Sequence, residues 1–313
     1  MRARYQLLLE VYDDVLVFFV TATDQKCPLR GATLRLEGQV TQQTISTIQD
    51  FVKAQDIGLC YFSYNQFSFL TNYLTCKTAV EIHDVIHLRQ SQFEKYGFKA
   101  PYEMTEVEEL DALAKYDHVF ALNLNEVQYL RDKGIDQARY LPPNIPFTAI
   151  APPKDDSAFG LIASMSKPNV DGFNCISKFV EAAPNFVIAG PMALDPEISS
   201  QLHPSSINIG VVGDPREFYE KITISISPIR FGGGLKIKVF EALSYGRPVL
   251  ATQHSIDGFP SGIEDVVTVV DDLDGWDDDV VTEALGKSSA PAEQYFWEHF
   301  SSDRCARVLR EIF

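Results

Sequence analysis

The chain has 313 residues, 45% of them hydrophobic, and a formal net charge of -16 with a pI near 4.8. That length suits about two domains with ordinary cores. The acidity excludes a broad nucleic-acid face and polybasic docking on anionic lipid, since both need basic surface. No apolar run approaches the roughly 18 residues of a membrane span, so no transmembrane segment is expected. Glu10, Asp13 and Asp14 follow Leu7-Leu8-Leu9 too closely for a signal peptide, so a cytoplasmic chain is expected. The five cysteines are scattered and form no Cys-x-x-Cys pair, against a disulfide framework or a zinc site. Cys60 and Cys175 lie in apolar stretches and read as buried thiols.

Along the first part of the chain, strand signals fall at 14–21, 57–63, 77–82, 117–122 and 138–141. Helical signals fall between them at 41–55, 101–115 and 124–133. This alternation predicts a parallel sheet with helices on both faces. Tyr61, Tyr64, Phe67 and Phe69 form an aromatic cluster that serves either to stack on a sugar or as core. His83-Asp84 follow a strand and open a loop, with His87 and Arg89 close behind. Leu141-Pro-Pro-Asn-Ile-Pro146 and Ala151-Pro-Pro-Lys-Asp-Asp156 then mark a stiff connector. The expected organisation is a first domain over 1–146, a Pro-rich linker over 147–156, a second domain over 157–290 and a helical tail over 291–313.

Alternation resumes after the connector, with strands at 158–163, 186–189, 206–211 and 222–227 and helices at 170–182 and 214–221. Asn169 reads as a cap for the first of these helices. Glu264-Asp265 and Asp271 to Asp279 form an acidic belt, read as a solvated loop with a helix N-cap; its spacing does not fit a calcium loop.

The most informative segment is Pro228-Ile-Arg-Phe-Gly-Gly-Gly-Leu-Lys-Ile-Lys-Val-Phe-Glu-Ala-Leu-Ser-Tyr-Gly-Arg-Pro-Val-Leu-Ala-Thr252. It reads as strand end, glycine loop, helix and strand, with Gly246 stopping the helix. Free N–H groups at a helix start, approached through glycines, bind anions. From Thr223 to Phe240 the chain carries Arg230, Lys236 and Lys238 and no acid, which suits a phosphate. Since the helix end offers only about half a charge, side-chain cations must supply the rest. Lys236 is best placed, Arg230 second with its planar fork; Lys238 is read as facing solvent. Glu241 stands between Phe240 and Ala242, where a carboxylate needs a partner.

This segment resembles the donor-binding signature of glycosyltransferase family 4, enzymes of the GT-B fold. It is most similar to a bacterial glycan-assembly subgroup that shares Arg-Phe-Gly-Gly-Gly-Leu-Lys-Ile-Lys. Glu81-Ile-His-Asp84, Tyr116 to Glu126 (ending in Asn125-Glu126), Ser164 to Gly172 and Gly210-Val-Val-Gly-Asp214 resemble further loops of the same family. The resemblance implies an α/β chain of two Rossmann-like domains facing a cleft. It implies donor binding by Gly232, Gly233, Gly234, Leu235, Lys236, Glu241, Val212 and Lys167, with Glu241 on the ribose. It implies catalytic roles for His83, Asp84, Arg230 and Lys236, His83 contacting the donor sugar. It implies no metal and no cofactor, the nucleotide-sugar being a substrate. The acceptor would be a glycan, lipid-linked or protein molecule, with a second copy of the chain or a partner protein left open. Two features depart from the pattern. Gly233 stands where many relatives carry a glutamate eight positions before the one matched by Glu241. The first strand is followed by Thr21 to Gly31 without a glycine pair, so the N-terminal domain looks abridged. The leading expectation is a glycosyltransferase in polysaccharide biosynthesis. Its rivals are a degenerate module that binds nucleotide or supports a partner, and a nucleotide-sugar epimerase of the same fold.

Overall fold

The computed structural model describes residues 2–12, 15–21, 31–35, 41–151, 153, 158–270, 278–287 and 289–312. In chain order the first part runs α1 (Arg2–Val11), β1 (Val17–Thr21), β2 (Gly31–Arg35), α2 (Gln42–Ala54), β3 (Leu59–Ser63) and β4 (Lys77–Ile82). It continues through α3 (Ile86–Lys95), α4 (Glu106–Leu113), β5 (His118–Ala121), α5 (Leu124–Asp132) and β6 (Ala138–Tyr140). After the connector come β7 (Phe159–Ile162), α6 (Lys167–Cys175), α7 (Ser177–Ala182), β8 (Phe186–Ala189), α8 (Pro196–Ser200), β9 (Ile207–Gly210), α9 (Arg216–Tyr219) and β10 (Ile224–Ser227). Then follow α10 (Ile237–Ser244), β11 (Val249–Ala251), α11 (Gln253–Ile256), β12 (Thr268–Val269), α12 (Asp278–Gly286), α13 (Ser289–Phe300) and α14 (Ser302–Arg310).

Two sheets organise the chain. The first has the order β3-β4-β5-β6, the second β12-β11-β10-β7-β8-β9. Every ladder in both is parallel. β1 and β2 form a separate parallel pair with Val17 opposite Gly31. Parallel strands covered on both faces read as continuous apolar runs rather than alternating ones. Accordingly β8 (Phe186-Val-Ile-Ala189) and β10 (Ile224-Ser-Ile-Ser227) are buried at every position.

Local sequence accounts for the element ends. Thr41 and Thr105 each close a capping box, with Thr44 and Glu108 at the reciprocal position. α10 stops at Gly246, whose φ is 68°. Arg247 N–H returns to Ala242 O and Gly246 N–H to Leu243 O, the Schellman pair, as the glycine in the sequence indicates. Arg247 is itself 2% exposed and donates to the carbonyls of Tyr219, Ile150 and Ala151, tying the connector to the second half.

Several elements differ from the expectation. α1 and α3 carry no strong periodicity: α3 buries only Ile86 and Phe93, so neither stands out in the pattern. The helix expected over 170–182 starts at Lys167 and breaks at Ile176, and the tail breaks at Ser301. Of the expected buried thiols, Cys60 and Cys175 are partly exposed, whereas Cys305 is buried. The acidic belt over 271–277, residues 22–30 and much of the linker lie outside the described residues.

α14 leaves the second half and lies on the first sheet beside α1. Leu7, Phe120, Leu141, Cys305, Leu309 and Ile312 form one apolar cluster there. Under it, Arg4 of α1 forks onto Glu81 of β4 at 2.8 and 3.2 Å and reaches Pro142 O.

Candidate functional site

The strand order of the second sheet reverses between β7 and β10, and the loops at their carboxyl ends diverge to opposite sides. Such a switch point opens a crevice suited to a ligand. Here it holds a cavity of about 270 Å³. Ser166 at the end of the loop after β7 and Pro168 and Asn169 at the start of α6 line it, with Gly232, Gly233 and Lys236 of the loop after β10 and Lys238 in the first turn of α10; the first half adds Arg89 and Phe93. Three cations and no carboxylate line it, in a chain of net charge -16.

The glycines of this loop are dictated by the opposite half. A Cβ on Gly233 would lie 2.8 Å from Arg89 Cβ and 2.9 Å from Asp84 Cβ. A Cβ on Gly234, whose φ is +66°, would lie 2.2 Å from the carbonyl oxygen of His83. The loop therefore packs directly against the turn after β4. Phe231, fully buried, enters an aromatic slot of the first half: Tyr96 and Phe98 stack on it at 4.5 and 5.4 Å, and Phe93 meets it edge-on at 5.2 Å. The N–H of Gly234 donates to Glu126 Oε1 of α5 at 2.9 Å.

Burial governs the charges. Lys236, at the N-cap of α10, is pushed down to about 8 by burial, while Glu126, Asp257 and Asp84 pull it back up. Its ammonium donates to Gly234 O at 2.9 Å and Gly233 O at 3.3 Å. Lys238 is likewise pushed down to about 8 by burial, opposed by Glu241. Lys238 does not face solvent, as the helix phase suggests; it lines the cavity and donates to Asn169 Oδ1. Asn169 in turn is no cap. Ser166 holds the cap position, and the Asn169 amide donates to Ser164 O and Oγ at 2.9 Å.

His83 and Asp84 stand across the glycine loop. His83 Nδ1 meets Tyr64 OH at 3.0 Å, its Nε2 lies 4.0 Å from Glu81, and burial lowers its pKa, so the ring is neutral at pH 7. Asp84 takes both its bonds from one Arg89 nitrogen, at 2.8 and 3.1 Å. Arg89 also donates to Tyr102 O. His87 is held between Glu109 and Tyr129, each at 2.7 Å, a structural bracket for α3.

Other expected site residues lie apart from the cavity lining. Arg230 is committed to Asp171 of α6 by a two-pronged pair at 2.7 and 2.9 Å and lies over the Tyr96 ring. Lys167 is exposed and rests 5.8 Å from the Phe98 ring. Glu241 is one turn along α10 from the loop, its carboxyl raised by burial beside Lys238. Leu235 is 7% exposed and packs in the core of the second half. Val212 is half-buried in the turn after β9. Of the aromatic cluster, Tyr64 stacks on His83 at 4.3 Å, whereas Tyr61 packs on Phe120 and Phe67 on Phe69. Arg89, Phe231 and Glu126 carry the contact between the halves. Their signals in the sequence were an arginine five residues after Asp84, the phenylalanine inside the signature, and the glutamate ending Asn123-Leu-Asn-Glu126. Among the described residues no group of three or more metal-ligating side chains occurs, and no helix is long and apolar enough to cross a membrane.

Comparison with known proteins places this geometry. Residues 159–282 match the family Glycosyl transferases group 1. No curated protein sequence matches the chain. Among solved structures, a glycosyltransferase from Rickettsia africae superposes with a TM-score of 0.70 at 13% identity, over 99% of this chain and 91% of that one. Anabaena HepE in complex with UDP superposes with a TM-score of 0.69 at 10% identity, over 95% and 99% of the two chains. A putative UDP-N-acetylglucosamine 2-epimerase from Listeria monocytogenes gives 0.59 at 17% identity, over 99% and 91%. The chain has the GT-B fold: two parallel α/β sheets with a cleft between their carboxyl ends.

Proposed function

We propose that this protein transfers a glycosyl group from a nucleotide-sugar to a glycan, lipid-linked or protein acceptor, without a metal. The observation that carries the reading is the cavity at the switch point, walled by the glycine loop, three cations and no carboxylate. The family match over 159–282 covers this same loop.

In this reading the donor diphosphate lies on Gly232 and Gly233, whose N–H groups and the start of α10 offer a partial positive charge. A diphosphate carries about two charges, so Lys236, Lys238 and Arg89 supply the remainder. Arg230 reaches the phosphates only by leaving Asp171, which makes it the more distant cation. Lys167 lies at the mouth, Val212 in the loop facing the base, and Glu241 is assigned to the ribose. As the bond from the sugar carbon to the diphosphate oxygen breaks, its electron pair goes to the phosphate, and the buried ammonium groups stabilise the charge that develops. The acceptor oxygen forms the new bond and releases a proton. Neutral His83, fixed through Nδ1 by Tyr64, presents Nε2 to the sugar or that proton, and Asp84 is the alternative acceptor. The neighbouring HepE binds UDP and, in another complex, UDP-glucose, so uridine donors head the test panel.

Thermal shift against nucleoside diphosphates and nucleotide-sugars tests the donor site. Ligand at a hundred times its dissociation constant adds about 2.7 kcal/mol. The expected result is a shift with one base that disappears in Lys236→Ala. A second reading has one specific observation behind it. Lys236 is satisfied by its own loop, Arg230 by Asp171 and the Gly234 N–H by Glu126, a pattern also suited to a module that binds nucleotide without transfer. Binding with no release of nucleoside diphosphate, with or without acceptor extracts, decides for the module.

A further inference from the structure

The Asn123-Leu-Asn-Glu126 turn has no part in the reading above, yet it is where the first half grips the second. Asn123 caps α5 and donates to Asp257 O at 3.2 Å; Leu124 N–H donates to Gly258 O at 2.9 Å. Three residues on, Glu126 accepts the Gly234 N–H through Oε1. The Val85 N–H favours the charged form of this carboxyl, but Oε2 is buried and meets no partner at hydrogen-bond distance.

Two charged groups face this carboxyl: Lys236 on the glycine loop, and Asp84, paired with Arg89, after β4. Asp257, paired with His254 of α11, faces Lys236 in turn. His83 contributes the carbonyl that crowds Gly234. Gly234 N–H and Lys236 are the kind of groups that bind an anion on such a loop. Glu126 is an anion of the protein itself that these groups face.

A diphosphate laid on the loop adds about two negative charges beside a buried carboxyl with one unsatisfied oxygen. Like charges disfavour the ionised form. Once protonated, Oε2 is a neutral hydroxyl rather than a buried charged oxygen with no partner. We propose that Glu126 is a positioning residue that holds the glycine loop against the first half and takes up a proton when a donor diphosphate binds, coupling donor binding to proton uptake. The proposal rests on the donor-site reading. Burial already pushes this carboxyl up to about 7, so uptake is within reach at neutral pH, where Lys236, near 8, remains charged.

The test is calorimetric titration at pH 7 in two buffers of different ionisation heat. The probe is whichever of UDP-glucose, ADP-glucose, GDP-mannose and dTDP-glucose shifts the melting temperature, none of which titrates near pH 7 in its diphosphate. The wild type is expected to take up about half a proton per site. Glu126→Gln, which keeps an acceptor for Gly234, is expected to take up several-fold less. Above pH 7, wild-type affinity falls by up to tenfold per unit while the variant stays flatter to about pH 8. Equal proton counts in the two proteins overturn the role of Glu126. Zero uptake in the wild type overturns it without recourse to any variant. No shift and no heat with any probe overturns the donor site itself, and this proposal falls with it.

Discussion

The two halves meet in two places of opposite chemistry. At the tail, α14 and α1 seal Leu7, Phe120, Leu141 and Leu309 against the first sheet, each 0% exposed. At the cleft, beside the Phe231 anchor and the backbone bonds of Asn123 and Leu124, charges gather: Glu126, Asp84, Arg89, Lys236 and Asp257 surround one glycine loop. Apolar burial is non-directional and indifferent to anions. A buried set of charges responds to every ion that enters it, because low local dielectric strengthens each interaction. The tail contact is apolar burial; the seam is a set of charges around one backbone loop.

The contrast can be broken most strongly at the tail. Leu309→Ala removes a fully buried side chain of α14 and is expected to cost about 2–5 kcal/mol. Chemical denaturation reads that loss, while the dissociation constant for the nucleotide probe stays unchanged. Gly234→Ala does the reverse: its Cβ falls on the His83 carbonyl at positive φ. A drop of about 2–3 kcal/mol is expected in probe affinity, with loss of the seam seen as faster proteolysis near Gly234. Lys236→Ala removes the cation at the N-cap of α10 and is expected to weaken binding by about 1.5–3 kcal/mol, measured by calorimetry.

The seam also carries a pH signature. The folded pKa of Glu126 is raised to about 7 from 4.5. A raised acid contributes stability that is present below its unfolded pKa and lost as pH rises through the folded one. Relative to the wild type, Glu126→Gln is therefore expected to gain stability as pH rises from about 4.5 to about 7, by up to about 3 kcal/mol, read as a growing difference in melting temperature; a constant difference across that range contradicts the raised carboxyl. The smallest effect separates two arginines. Arg89 lines the cavity and Arg230 is held by Asp171, so Arg89→Ala should weaken the probe by about 1 kcal/mol and Arg230→Ala by less.

Much of the fold was legible. The alternation of strands and helices and the stop at Gly246 depend on local pattern and turn chemistry, which act over a few residues. The glycine loop from Gly232 to Gly234 and the cation that follows it at Lys236 were legible for the same reason. α3 was not, because only Ile86 and Phe93 of its ten residues are buried. Lys238 was misjudged because helix phase says nothing of what another loop places opposite: Asn169 turns it inward.

By itself the sequence determined the class of the fold, two parallel α/β layers, and the glycine loop that opens α10 in the second of them. Both follow from periodicity, glycine and charge along a contiguous stretch. Only the tertiary structure decided that Gly233 and Gly234 are kept bare by Asp84, Arg89 and His83, that Phe231 is an anchor, and that Glu126 faces Lys236. Those facts concern pairs 108 or more residues apart, brought together where the two sheets face each other. No local rule encodes such a distance; the physical reason lies in close packing and in the cost of burying a charge without a partner.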